Sequence, residues 1–135
     1  MSRAKEVKTD RRYTKDHEWA LEQNGEIVVG ITAFAVDQLG DITLVNVDVK
    51  PGDSVEAHAP FGTIESVKTL SDLYAPVSGK VVRVNPELEE HPELVNEDPW
   101  AKAWMAATPP SRPTHEAGGL LEASAYAAHM EASTH

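Results

Sequence analysis

The chain has 135 residues, with 12 Lys and Arg against 22 Asp and Glu, a formal net charge of −10, and no cysteine. This length suits one domain with a short appendage, and the missing cysteine excludes a disulfide framework, thiolate metal sites and a cysteine nucleophile. Six basic residues fall within the first fifteen positions, and from Asp16 onward six face twenty acids; such a body repels nucleic acid and anionic membrane.

Residues 1–12 lack apolar periodicity and read as a flexible basic leader. The segment Tyr13-Thr14-Lys15-Asp16-His17-Glu18-Trp19 follows. Leu21 to Ile31 then reads as two short strands turned at Asn24-Gly25, a strong hairpin dipeptide. Thr32 is an N-cap for a short helix, Ala33 to Leu39, which Gly40 stops. Ile42 to Val49 has strand composition, Pro51-Gly52-Asp53 is a turn, and Ser54 to Ala57 resumes as strand. Pro60 opens a segment ending near Tyr74, Pro76 to Gly79 turns the chain again, and Val81 to Val84 is a further strand.

Asn85-Pro86-Glu87 predicts a helix start with Asn as cap and Pro in the first position. His91-Pro92-Glu93 repeats that logic, so two short helical turns are expected. Trp100 to Met105 reads as a last strand, Pro109, Pro110 and Pro113 as a linker, and Leu120 to Met130 as a C-terminal helix with Leu121 and Ala125 on one face. The domain is therefore expected over 13–108, with linker and C-terminal helix over 109–135 packed upon it. Many short strands with small helical inserts predict a mainly β sandwich or barrel.

Familiar catalytic signatures are missing: there is no Gly-x-Gly-x-x-Gly, phosphate-loop or Gly-x-Ser-x-Gly pattern. His17-Glu18 begins like a zinc-protease helix, but Leu21 stands where the second histidine belongs. None of the six histidines has a partner at helical ligand spacing, so no metal site is expected. The acids Glu87, Glu89, Glu90, Glu93, Glu97 and Asp98 read as helix-start acids on a solvated face, with a docking face for a basic partner or a divalent-metal site as alternatives, the latter disfavoured because the turn glycine of a metal loop is missing. Lys68 is the sole basic residue between Lys50 and Lys80, midway between the turn signals at Pro60 and Pro76. Propensity leaves Glu65 to Leu70 open between a hairpin tip and a helical turn, with Lys68 an exposed lysine in either.

The run Glu65-Ser66-Val67-Lys68, followed by Ser71-Asp72-x-Tyr74-x-Pro76-Val77-Ser78-Gly79, resembles the lipoyl-attachment segment of the glycine cleavage H-protein family. The likeness extends to Tyr13-Thr14-Lys15-x-His17-Glu18-Trp19, to Gly30-Ile31-Thr32 and to Gln38-Leu39-Gly40-Asp41-Ile42. It resumes at Glu93-Leu94-Val95-Asn96-x-Asp98-Pro99 and spans about residues 13 to 105. The family pattern is departed from at Ala33, Phe34, Ala101 and Ala103.

The resemblance implies a barrel-sandwich hybrid of short antiparallel strands with short peripheral helices. It implies that Lys68 carries lipoic acid through an amide; Glu65 and Asp72 flank Lys68 on the expected hairpin, and one or both are expected to help lipoyl-transferring enzymes recognise the site. Glu18 is then the candidate for lining a cleft that shelters the loaded arm. The protein would be no enzyme itself but a carrier. It would take the aminomethyl group of glycine from a pyridoxal-phosphate glycine decarboxylase to a tetrahydrofolate-dependent aminomethyltransferase, and then reducing equivalents to dihydrolipoyl dehydrogenase. A cytoplasmic monomer is expected. Rival readings are the lipoyl or biotinyl carrier domain of another complex, whose Asp-Lys-Ala or Met-Lys-Met does not fit Val67-Lys68-Thr69, and an unmodified acidic interaction module. An enzyme with Lys68 as Schiff-base residue needs desolvation, which flanking Glu65 and Asp72 disfavour.

Overall fold

The computed structural model describes residues 7–109 and 120–133. Their elements are β1 (Arg12–Tyr13), β2 (Glu18–Gln23), β3 (Glu26–Ile31), α1 (Ala33–Leu39), β4 (Ile42–Val47), β5 (Ser54–Val55), β6 (Pro60–Ser66), β7 (Leu70–Tyr74), β8 (Gly79–Lys80), β9 (Arg83–Val84), α2 (Glu87–Glu90), α3 (Leu94–Glu97), β10 (Ala106–Thr108) and α4 (Ala123–Ser133). The strands form a five-stranded sheet in the order β1-β2-β3-β10-β9, a three-stranded sheet β4-β6-β7, and a two-stranded pair β5-β8. All pairings are antiparallel. This mainly β arrangement with few short helices matches the expected class.

Alternation along the strands decides which side chains meet. Ala20, Val29 and Ala106 of the large sheet pack with Val45, Ile64 and Leu73 of the three-stranded sheet in the main core. Their neighbours Trp19, Val28 and Ala107 point the opposite way, into a second cluster with Tyr13, Phe34, Trp100, Tyr126 and Met130. Period-two alternation thus gives the five-stranded sheet two buried faces. Trp19 pairs across the strands with Gly30, and a Cβ on Gly30 would stand 2.5 Å from the indole; glycine there makes room for the ring. The indole nitrogen donates to the carbonyls of Ile31 and Pro99.

The hairpin at Asn24-Gly25 and helix α1 fall where expected. Thr32 caps α1, its hydroxyl oxygen accepting from the Ala35 N–H, and Gly40 ends it with φ 87°. Four elements differ. The strand read over Val81 to Val84 is split: Gly79–Lys80 pairs with β5, whereas Arg83–Val84 pairs with β10. The chain changes sheet because Val81 N–H donates to Asp53 and Val82 N–H to Ala107. The last strand lies at Ala106–Thr108 and not at Trp100 to Met105. There the Asp98 carboxylate accepts from the N–H groups of Ala101 and Lys102 and coils the chain into turns. Pro86 occupies the N-cap of α2, while Asn85 Oδ1 accepts the Glu87 N–H from one residue further out. The C-terminal helix buries Tyr126 and Met130 in place of Leu121 and Ala125; Ala125 is exposed.

Part of the basic leader is anchored. Tyr13 bonds Leu121 through both backbone groups, and the Arg11 guanidinium lies over the rings of Trp19 and Trp100 and donates to the Trp100 carbonyl. The Arg11 side chain is 7% exposed, held by cation–π stacking. Residues 1–6 of the leader, and Pro110 and Pro113 of the linker, lie outside the described residues.

Candidate functional site

Hairpin β6–β7 pairs Thr63 with Asp72, Ile64 with Ser71 and Glu65 with Leu70, leaving Ser66-Val67-Lys68-Thr69 at its tip. Ser66 builds the turn. Its N–H donates to the Thr69 carbonyl at 2.8 Å, and its hydroxyl oxygen accepts from the N–H groups of Lys68 (3.3 Å) and Thr69 (3.2 Å). A buried serine side chain thus supplies the turn chemistry that a Val-Lys pair lacks, which decides for a hairpin tip over a helical turn.

The tip rests on the loop after α1. Val67 N–H donates to the Asp41 carbonyl at 3.0 Å. A Cβ on Gly40 would stand 3.3 Å from Lys68 Cε, so the lysine stem runs along bare backbone. From α3, Asn96 fastens the same loop: Oδ1 accepts from the Ile42 N–H at 2.8 Å and Nδ2 donates to the Gly40 carbonyl at 3.0 Å. Lys68 is exposed, and among the described residues its amine has no hydrogen-bond or ion-pair partner. Such an amine fits an amide link to a carboxylic acid: it is accessible, carried on a long stem, and seated on a turn braced from two sides.

Glu65 and Asp72 are both exposed and share the outer face of the hairpin, in alternate cross-strand rows. Glu18 lies elsewhere. It is 3% exposed, and its Oε1 accepts from the Thr14 hydroxyl at 2.7 Å while Oε2 accepts from the Tyr74 N–H at 3.1 Å. The carboxyl therefore ties β2 to the strand that leaves the lysine tip. Burial pushes its pKa up to about 8, against the lowering effect of those two hydrogen bonds; desolvation disfavours the charged form.

Beside it, His17 adopts φ 68°, and its Nδ1 lies 2.8 Å from the Tyr126 hydroxyl, which also meets Thr32 Oγ1 at 2.7 Å. Burial, and then His129 stacked at 5.3 Å, depress the His17 pKa. The turn-building role of the Ser66 hydroxyl and the Gly40–Asn96 seat is not legible in the sequence, where Gly40 reads as a helix stop and Ser66, Gly40 and Asn96 as residues of the family resemblance. Among the described residues no three His, Asp or Glu are placed to hold a metal ion.

A braced, solvent-exposed lysine at a hairpin tip of a small β domain defines a carrier-type module. The sequence profile of the glycine cleavage H-protein family matches residues 11–133. The glycine cleavage system H protein of Magnetococcus marinus is 48% identical over 119 residues, 88% of this chain and 84% of that protein. That of Halalkalibacterium halodurans is 54% identical over 100 residues, 74% and 77% of the two chains. The crystal structure of an H protein from Mycobacterium marinum superposes with a TM-score of 0.82 at 38% identity, covering 90% of this chain and 97% of that one. The chain belongs to the glycine cleavage H-protein family, whose barrel-sandwich fold it shares. Members of that family are lipoyl carriers, bearing the group on a lysine, and are not enzymes themselves.

Proposed function

We propose that Lys68 is the lysine that bears the lipoyl group. The observation that supports this most is the exposed amine on the Ser66-braced tip, with its stem along Gly40. When bound, the group would supply a disulfide able to take the aminomethyl unit of glycine on one sulfur and to remain on the protein as a dithiol once that unit is passed on. The protein's own residues present and shelter it. Ser66, Gly40 and Asn96 hold the tip rigid, so that the mobile part of the assembly is the arm alone.

Glu65 and Asp72, on one outer face beside the tip, mark the hairpin for lipoyl-transferring enzymes. Glycine decarboxylase, the aminomethyltransferase and dihydrolipoyl dehydrogenase are the partners that visit the arm in turn, with the carrier a cytoplasmic monomer. No helix among the described residues is long and apolar enough to cross a membrane. In the same reading Glu18 belongs to the shelter of the loaded arm; it is 3% exposed and both its oxygens accept hydrogen bonds, so the arm would reach it only by opening the Thr14–Glu18–Tyr74 contacts. Equal ammonia release from loaded Glu18→Ala and wild type would leave Glu18 a structural link.

The test is Lys68→Arg. Expressed in a lipoylating host, it is expected to melt like the wild type, carry no lipoyl group, and support no glycine cleavage with the partner enzymes. In the same host Glu65→Ala and Asp72→Ala are expected to be lipoylated more slowly. A lipoylated Lys68→Arg protein would overturn the assignment.

A further inference from the structure

Among the described residues four large hydrophobic side chains are exposed, and three of them, Leu44 (46%), Val67 (69%) and Leu70 (63%), gather at the Lys68 end of one sheet. The pairing explains how. Leu44 lies opposite Glu65 on β4, and Glu65 opposite Leu70 on β7, so one cross-strand row reads Leu-Glu-Leu. Val45 and Ile64, one residue along, are core, and alternation sends this row outward. Val67 continues the apolar surface onto the turn. Solvent-facing apolar side chains gathered in one place mark an interaction surface more than scattered ones do.

We propose that this Leu44–Glu65–Leu70 row, with Val67, is the docking surface for the enzyme that acylates Lys68. The proposal rests on the assignment of Lys68 as the attachment point. Acylation fixes the occupant. The ammonium gives one proton to a base, and the neutral amine attacks the carbonyl of an activated lipoyl donor. The amide C–N bond forms, the nitrogen gives a second proton to a base, and the bond from the carbonyl to the leaving group breaks, its electron pair departing with that group. The catalyst must therefore bring its reacting carbon to Nζ itself and cover the tip. Enzymes that act on the far end of the arm meet atoms many bonds beyond Nζ and have no such obligation. An apolar row centred on Glu65, with Asp72 two rows along on the same face, fits a partner surface of apolar side chains ringed by basic ones.

The test uses purified unmodified carrier, lipoyl adenylate and a lipoyl-transferring enzyme, with Leu44→Ser, Leu70→Ser and the double variant. The KM for the double variant is expected to rise roughly tenfold with kcat within about twofold, as when anchor contacts are removed from an interface. Acylation of Lys68 by a small water-soluble activated ester, which docks nowhere, is expected to be unchanged, as is thermal melting. An unchanged KM overturns the proposal, and so does an equal loss in the enzyme-free reaction, which would mean a disturbed tip. If wild-type carrier takes no lipoyl group on Lys68, the attachment assignment fails and the docking surface with it.

Discussion

Among the described residues Glu18 is the one buried carboxylic acid. Its carboxyl accepts two hydrogen bonds yet is buried enough that its pKa rises to about 8 from an ordinary 4.5. The folded protein therefore holds this proton more tightly than the unfolded chain does. The stability so gained is complete below pH 4.5 and is lost as pH rises through 8. Glu18→Gln removes the titration while keeping the shape. Urea unfolding from pH 5 to 8.5 is expected to show wild type losing roughly 3 to 5 kcal/mol relative to the variant. His17 works in the opposite sense, since its depressed pKa costs stability as pH falls below about 6.5. That slope is common to both proteins and drops out of the difference. Parallel curves would mean that Glu18 is charged in the fold.

At the scale of elements, the Tyr126 hydroxyl ties α4 to β2's approach and to α1. Tyr126 stacks on Tyr13 at 4.5 Å and bridges His17 to Thr32, the N-cap of α1. Tyr126→Phe keeps the stacking and leaves those buried partners unanswered. It is expected to cost about 1 to 3 kcal/mol and to raise amide exchange in α4 before any other element; uniform exchange would show that the helix is held by apolar packing alone. Local chemistry made several elements legible in advance: Asn24-Gly25 for the β2–β3 turn, Thr32 and Gly40 for α1. The β6–β7 tip stayed ambiguous because its turn is made by the Ser66 side chain and steadied by the Asp41 carbonyl, neither of which propensity weighs. The split of Val81 to Val84 was illegible for a similar reason: its partners are Asp53, just before β5, and Ala107 of β10, far apart in sequence. Glu18 was found through family resemblance, but its burial depends on Tyr74, which sequence separation hides. The outward Leu44 and Leu70 needed the register of three strands before they could be seen as one row.

Over the whole molecule, the two buried faces of the large sheet give a rigid body, and one end of the smaller sheet carries the exposed lysine. The acids dominate that body, −10 in all, and Lys68 is the only cation between Lys50 and Lys80. A carrier of this build separates a stiff, acidic, recognisable scaffold from a single mobile group. Everything then depends on where that group is attached. The decisive measurement is intact mass with proteolytic fragment mapping of protein purified from a lipoylating host. One lipoyl group per chain, on the fragment containing Lys68, is the predicted result; the group on Lys50 or Lys80 would contradict it.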